Sequence, residues 1–136
     1  MSEKHPRRLL TEVELELMVL LWRMGGGTVS DVLQALPPAR RLAYTSVSTI
    51  VRILEQKGVV RSEKIGRAHR YLPVVARDDY EAFALEQVVG KVFDGQPLAL
   101  VRRLVDTAGL TRQEIADLKR LLDEAEPASG KGRRSR

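Results

Sequence analysis

Between residues 45 and 52 the chain sets Thr45, Ser46, Ser48, Thr49 and Arg52 among Val47, Ile50 and Val51. Hydroxyls both donate and accept hydrogen bonds, and a guanidinium presents a planar fork of donors. Such a set suits the recognition of hydrogen-bonding edges and anionic oxygens better than the making of bonds. Bond-making chemistry has little to stand on elsewhere. The two histidines, His5 and His69, belong to no His/Ser/Asp or paired-carboxylate arrangement. The glycines of MGGGTV lack the G-x-x-x-x-G-K-[ST] run and the preceding strand of a phosphate-binding loop. With no cysteine and two histidines there is no zinc or thiolate site, so no metal and no cofactor is expected, and the chain is read as a non-enzyme.

A helix must position the hydroxyls. At about 100° per residue, Val47, Ile50, Val51 and Leu54 fall in one sector, while Thr45, Thr49, Arg52 and Gln56 fall opposite, with Ser48 beside them. Thr and Ser are mediocre helix formers, so propensity does not account for this outer face. An external partner that accepts hydrogen bonds does. An α-helix fits the major groove of DNA, where an Arg can bond guanine in two-pronged fashion for about 1–3 kcal/mol of discrimination, and Arg52 is the residue placed to do so.

Charge points the same way. Residues 40–77 carry nine Lys or Arg against two Glu, a net +7, inside a chain whose total is +5. Residues 78–126 are acidic, with six basic residues against eleven acidic ones. A field concentrated in the middle third attracts a polyanion. Arg40 and Arg41 precede the hydroxyl helix and are expected to clamp backbone phosphate. Arg61, Lys64, Arg67 and Arg70 follow it and are expected to meet phosphates or a minor groove. Tyr44 and Tyr71 read equally as phosphate contacts or as core residues with satisfied hydroxyls, and His69 as a polar strand residue.

The surrounding elements are legible from caps and breakers. Thr11 with Glu14 opens a helix over about 12–24 that three glycines end, and Thr28 with Asp31 opens a short one that Pro37-Pro38 stops. The cluster Glu12, Glu14, Glu16 reads as charge on an exposed helix start. The hydroxyl helix runs over about 45–57 and closes at Gly58. VVRSEK and HRYLPV then read as two strands about a turn at Gly66. From Asp78 three amphipathic helices follow, marked by Tyr80, Phe83, Val88 and Val92, by Leu98, Val101 and Leu104, and by Ile115, Leu118 and Leu122. Their apolar faces exceed what so short a chain covers, so a two-fold homodimer is expected through these residues.

The fold class expected is mainly α (α+β): an N-terminal winged helix-turn-helix with a two-stranded β wing, then a three-helix C-terminal dimerisation domain. The expected divisions are a flexible basic N-terminus over 1–9, the winged helix over 10–76, the helical domain over 77–125 and a disordered basic tail over 126–136. LELMVLLW is far shorter than the ~20 residues of a membrane span and is preceded or interrupted by Glu12, Glu14 and Glu16, so no membrane insertion and a cytoplasmic location are expected.

Four stretches, LTEVELELMVLLW, LAYTSVSTIVRILEQKGVV, GRAHRYLPVVARDDY and VFDGQPLALVRRLV with LTRQEIADLKRLL, together resemble the penicillinase repressor family, from Leu10 to Leu122. That resemblance implies a homodimeric winged-helix repressor on a palindromic operator of the TACA/TGTA type, controlling β-lactamase, penicillin-binding or related genes. It also implies a membrane sensor-protease as a partner in antibiotic-responsive members. Those members carry an Asn-Phe bond where this chain has Arg103-Leu104, a departure that speaks against cleavage at that bond. Copper-responsive relatives bind metal through C-terminal cysteines, which are absent here. Two rival classes stand beside the repressor: a winged helix for RNA or acidic protein partners, and a regulator answering a small ligand.

Overall fold

The computed structural model describes residues 8–128, so most of the basic N-terminus and tail lies outside the described residues. The chain divides after Ala84 into two compact units, within a helix and later than the expected boundary at 76.

In the first unit, α1 (Glu12–Met24) starts at a capping box in which Thr11 and Glu14 satisfy each other's backbone N–H, and it ends at Gly25 with φ 77°. A second box, Thr28 with Asp31, opens α2 (Val29–Ala35). Helix α3 (Tyr44–Gln56) follows, and its N-cap Ala43 makes no side-chain cap bond. Strands β1 (Val60–Ile65) and β2 (Ala68–Pro73) pair antiparallel from Val60 opposite Pro73 to Ile65 opposite Ala68, and Gly66 takes φ 60° in the turn. Gly27 adds an isolated bridge on the other edge of β2: its N–H donates to the Tyr71 carbonyl at 3.0 Å and its carbonyl accepts from the Tyr71 N–H at 2.8 Å. The mainly helical class with one two-stranded antiparallel sheet is as expected.

The apolar sectors meet in one core. Leu17, Met18 and Leu21 of α1, Val32 of α2, and Val47, Val51 and Leu54 of α3 are fully buried. Burial of this kind is favourable by about 1.5–3 kcal/mol per side chain before the cost of ordering the chain.

The start of α4 (Arg77–Val92) belongs to this core and corrects one expectation. Tyr80 is buried, not set on a free dimerisation face: its ring lies 5.8 Å from that of Trp22, and its hydroxyl accepts the Leu10 N–H at 2.8 Å. Phe83, centred 6.4 Å from Tyr80, is half-buried against the same core. Trp22 Nε1 donates to the Val75 carbonyl at 2.8 Å, and the Arg77 guanidinium sits 5.7 Å over its ring. Large rings with one polar handle pack where that handle finds a partner, and the first unit supplies both, the Leu10 N–H for Tyr80 and the Val75 carbonyl for Trp22.

In the second unit the remainder of α4 leads through a turn at Asp94 and Gly95 to α5 (Pro97–Thr107) and α6 (Arg112–Glu124). Thr111 and Glu114 form a third capping box at the head of α6. No residue of α5 or α6 is buried, and Val88, Val92, Leu98, Leu104, Ile115 and Leu122 stand exposed, with Val101 and Leu118 half-buried. No helix among the described residues is long and apolar enough to cross a membrane.

Candidate nucleic-acid interface

Because Val47, Val51 and Leu54 hold α3 against the core, its opposite face must turn outward. Thr45, Ser46, Thr49 and Arg52 are exposed and Ser48 is half-buried. Arg52 lies one turn beyond Ser48, and its guanidinium donates to Ser48 Oγ at 3.1 Å, which extends the fork along the helix face. The uncapped start of α3 leaves first-turn N–H groups beside Thr45 and Ser46 without a local side-chain acceptor.

A groove of about 390 Å³ separates this face from the hairpin, lined by Ser48, Arg52 and Glu55 on one wall and Ser62, Arg67 and His69 on the other. Ser62 Oγ donates to Glu55 Oε2 at 2.8 Å, a bond that ties the hairpin to the helix. Neither residue stands out in the sequence. Ser48, Arg52 and Glu55 follow the i, i+4, i+7 rule, so Glu55 was readable as a neighbour of Arg52, whereas Ser62 required the hairpin's docking to be known.

The basic residues of the wing do not share one face. Strand alternation places Ser62 and Lys64 on the side toward α3, and Arg61 and Glu63 on the other. Arg61 pairs with Glu63 at 3.4 Å, and Arg70 lies opposite Glu63 in the ladder. Arg67 in the turn lines the groove beside the hydroxyl face, and Lys64 falls on the helix side of its strand. Arg41 is exposed, as is Tyr44, while Tyr71 is buried in the core.

Two acidic residues depart from expectation. Glu14 is not exposed charge: it is 7% exposed and accepts Lys57 Nζ at 2.8 and 2.9 Å as well as the Thr11 N–H at 2.9 Å. Burial by itself would raise its pKa, but the Lys57 ammonium and the Thr11 N–H outweigh it and hold the carboxyl below its usual range. Glu16 accepts both prongs of Arg40, Nε at 2.7 Å and Nη2 at 3.0 Å, so Arg40 points its fork at α1 and not outward. That pairing raises the Arg40 pKa further. The meeting of 16 with 40 and of 14 with 57 is invisible along the chain, because each pair joins residues far apart in sequence. Among the described residues no cluster of His, Asp and Glu is arranged to hold a metal ion.

The family model described as penicillinase repressor matches residues 10–124. The chain is 35% identical over 123 residues to the transcriptional regulator BlaI of Mycobacterium tuberculosis, covering 89% of this chain and 88% of the relative. It is 23% identical over 115 residues to the penicillinase repressor of Bacillus licheniformis, covering 85% and 90% of the two chains. The solution structure of the DNA binding domain of the repressor BlaI aligns over 57% of this chain and 92% of its own, at 26% identity and a TM-score of 0.48. Matched by the family model over nearly all of its described residues, the chain belongs to the penicillinase repressor family.

Proposed function

We propose that the chain is a transcriptional repressor that binds double-stranded DNA as a homodimer, on a palindromic operator of the TACA/TGTA type upstream of β-lactamase, penicillin-binding or related genes. The observation that carries this reading is the outward face of α3, on which Thr45, Ser46, Thr49 and Arg52 stand exposed beside the basic turn of the hairpin. Helix α3 lies in the major groove, Arg52 reads a base edge, and the hydroxyls divide between bases and phosphate oxygens. Arg41, Arg61, Lys64, Arg67 and Arg70 supply phosphate attraction along the flanks. The exposed apolar residues of α5 and α6 support the dimer, because a second copy offers the same faces in return. Each protomer then takes one half-site, the two lying about one helical turn or a multiple apart.

The test is a titration at near-physiological salt of a duplex bearing inverted TACA/TGTA half-sites, a scrambled duplex of equal length and the matching RNA duplex. The expected preference for the palindrome is ~10³-fold or more, with two protomers per site. Arg52→Ala is expected to remove ~1–3 kcal/mol of that preference while leaving fold and dimer intact. Equal affinity for all three probes would refute the operator reading and turn attention to RNA or acidic partners.

A further inference from the structure

Two ion pairs reach α3 from α1, one at each end. Arg40, in the segment that leads into α3, gives both prongs to Glu16 at 2.7 and 3.0 Å, and its own N–H closes a turn onto the Pro37 carbonyl at 2.9 Å. Lys57, the C-cap of α3, gives its ammonium to both oxygens of Glu14 at 2.8 and 2.9 Å. Between these ends α1 and α3 touch through Leu17, Leu21, Val47, Val51 and Leu54. Apolar burial is not directional, whereas reading a base edge demands placement within about 0.5 Å. The N-cap Ala43 of α3 has no side-chain bond that would add direction at that end. Charge-assisted two-pronged bonds carry the needed geometry.

We propose that Glu14 and Glu16 are positioning residues that clamp both ends of α3, and that Arg40 serves this clamp instead of a DNA phosphate. The inference rests on α3 being the DNA-reading helix. It accounts for a carboxylate pair on α1 directed at the basic segment, and it divides the basic residues flanking α3 into two kinds: Arg40 and Lys57 face the protein, while Arg41 and Arg52 face outward.

The test compares wild type, Arg40→Ala, Arg40→Lys, Glu16→Gln, Lys57→Gln and the Arg40→Ala/Glu16→Gln double variant on the palindromic and scrambled duplexes across a salt series. The clamp predicts that Arg40→Ala and Glu16→Gln each lower the preference for the palindrome about tenfold and that the double variant loses no more than either single one. The slope of affinity against salt stays at the wild-type value. Arg40→Lys, which keeps the charge but loses the second prong, falls too, and Lys57→Gln shows the same signature from the other end. A phosphate contact by Arg40 gives a different pattern, and that pattern overturns the proposal: both duplexes weaken alike in Arg40→Ala, the slope drops by about one, Arg40→Lys is nearly neutral and Glu16→Gln does not weaken binding. Should Lys57→Gln fail to fold, the more exposed Arg40–Glu16 pair still decides the matter. A wild-type chain that does not separate the two duplexes refutes the reading of α3, and this inference with it.

Discussion

At the scale of single residues, Glu14 shows how one side chain takes on several tasks. It completes a capping box, holds Lys57 and sits almost wholly out of solvent. Its pKa is depressed in the folded state, so the stability it confers is complete above the ordinary carboxylate value of 4.5 and is lost as pH falls through the lower folded value. Glu14→Gln should cost on the order of 2 kcal/mol at neutral pH, the worth of hydrogen bonds to a charged partner. That deficit should shrink as the pH falls below the folded pKa, because the wild-type carboxyl is then neutral as well. Urea unfolding of both chains at pH 7 and at a series of pH values stepped below 4.5 checks this, and a deficit that never shrinks before the wild-type chain itself unfolds in acid would count against the ion pair. Helical spacing marks Glu14 as an N3 cap residue, but its second partner is 43 residues away, beyond any local pattern.

At the scale of elements, the turn after α1 does more than stop a helix. Gly25 and Gly26 both take positive φ, 77° and 124°, but only Gly26 lies against other chain: a Cβ there would stand 2.6 Å from Leu72 Cδ2 and 3.0 Å from the Tyr71 carbonyl. Its backbone delivers Gly27 to Tyr71, which fastens the root of the wing to the end of α1. Gly26→Ala should therefore cost about 3 kcal/mol through strain and collision, and Gly25→Ala, which meets nothing, about 1 kcal/mol. Chemical denaturation of the two variants measures the difference, and equal costs would mean that the wing's root yields freely. GGG was legible as a stop signal. Which glycine is irreplaceable depends on β2, whose approach is set 45 residues later in the chain.

At the largest scale, the first unit closes a core and the second does not: among the described residues fourteen apolar ones are buried up to Tyr80, and none from Leu85 onward. A dimer through α5 and α6 is the expected resolution. Sedimentation at micromolar concentration should report two chains, and Leu98→Glu with Leu122→Glu should give monomers that keep the first unit folded, as judged by Trp22 fluorescence, while losing most of the preference for a palindrome through lost avidity. A wild-type monomer would refute the dimer and the palindrome together. Short-range patterns in the chain carry the periods of all six helices, three Thr-led capping boxes, the turn at Gly66 and the outward hydroxyl face of α3, because each depends on residues within a turn or two of one another. That Tyr80 completes the first core, that Gly27 pairs with Tyr71, and that Arg40 and Lys57 turn toward α1 emerges on folding alone, since each contact joins groups many residues apart through packing that periodicity does not encode.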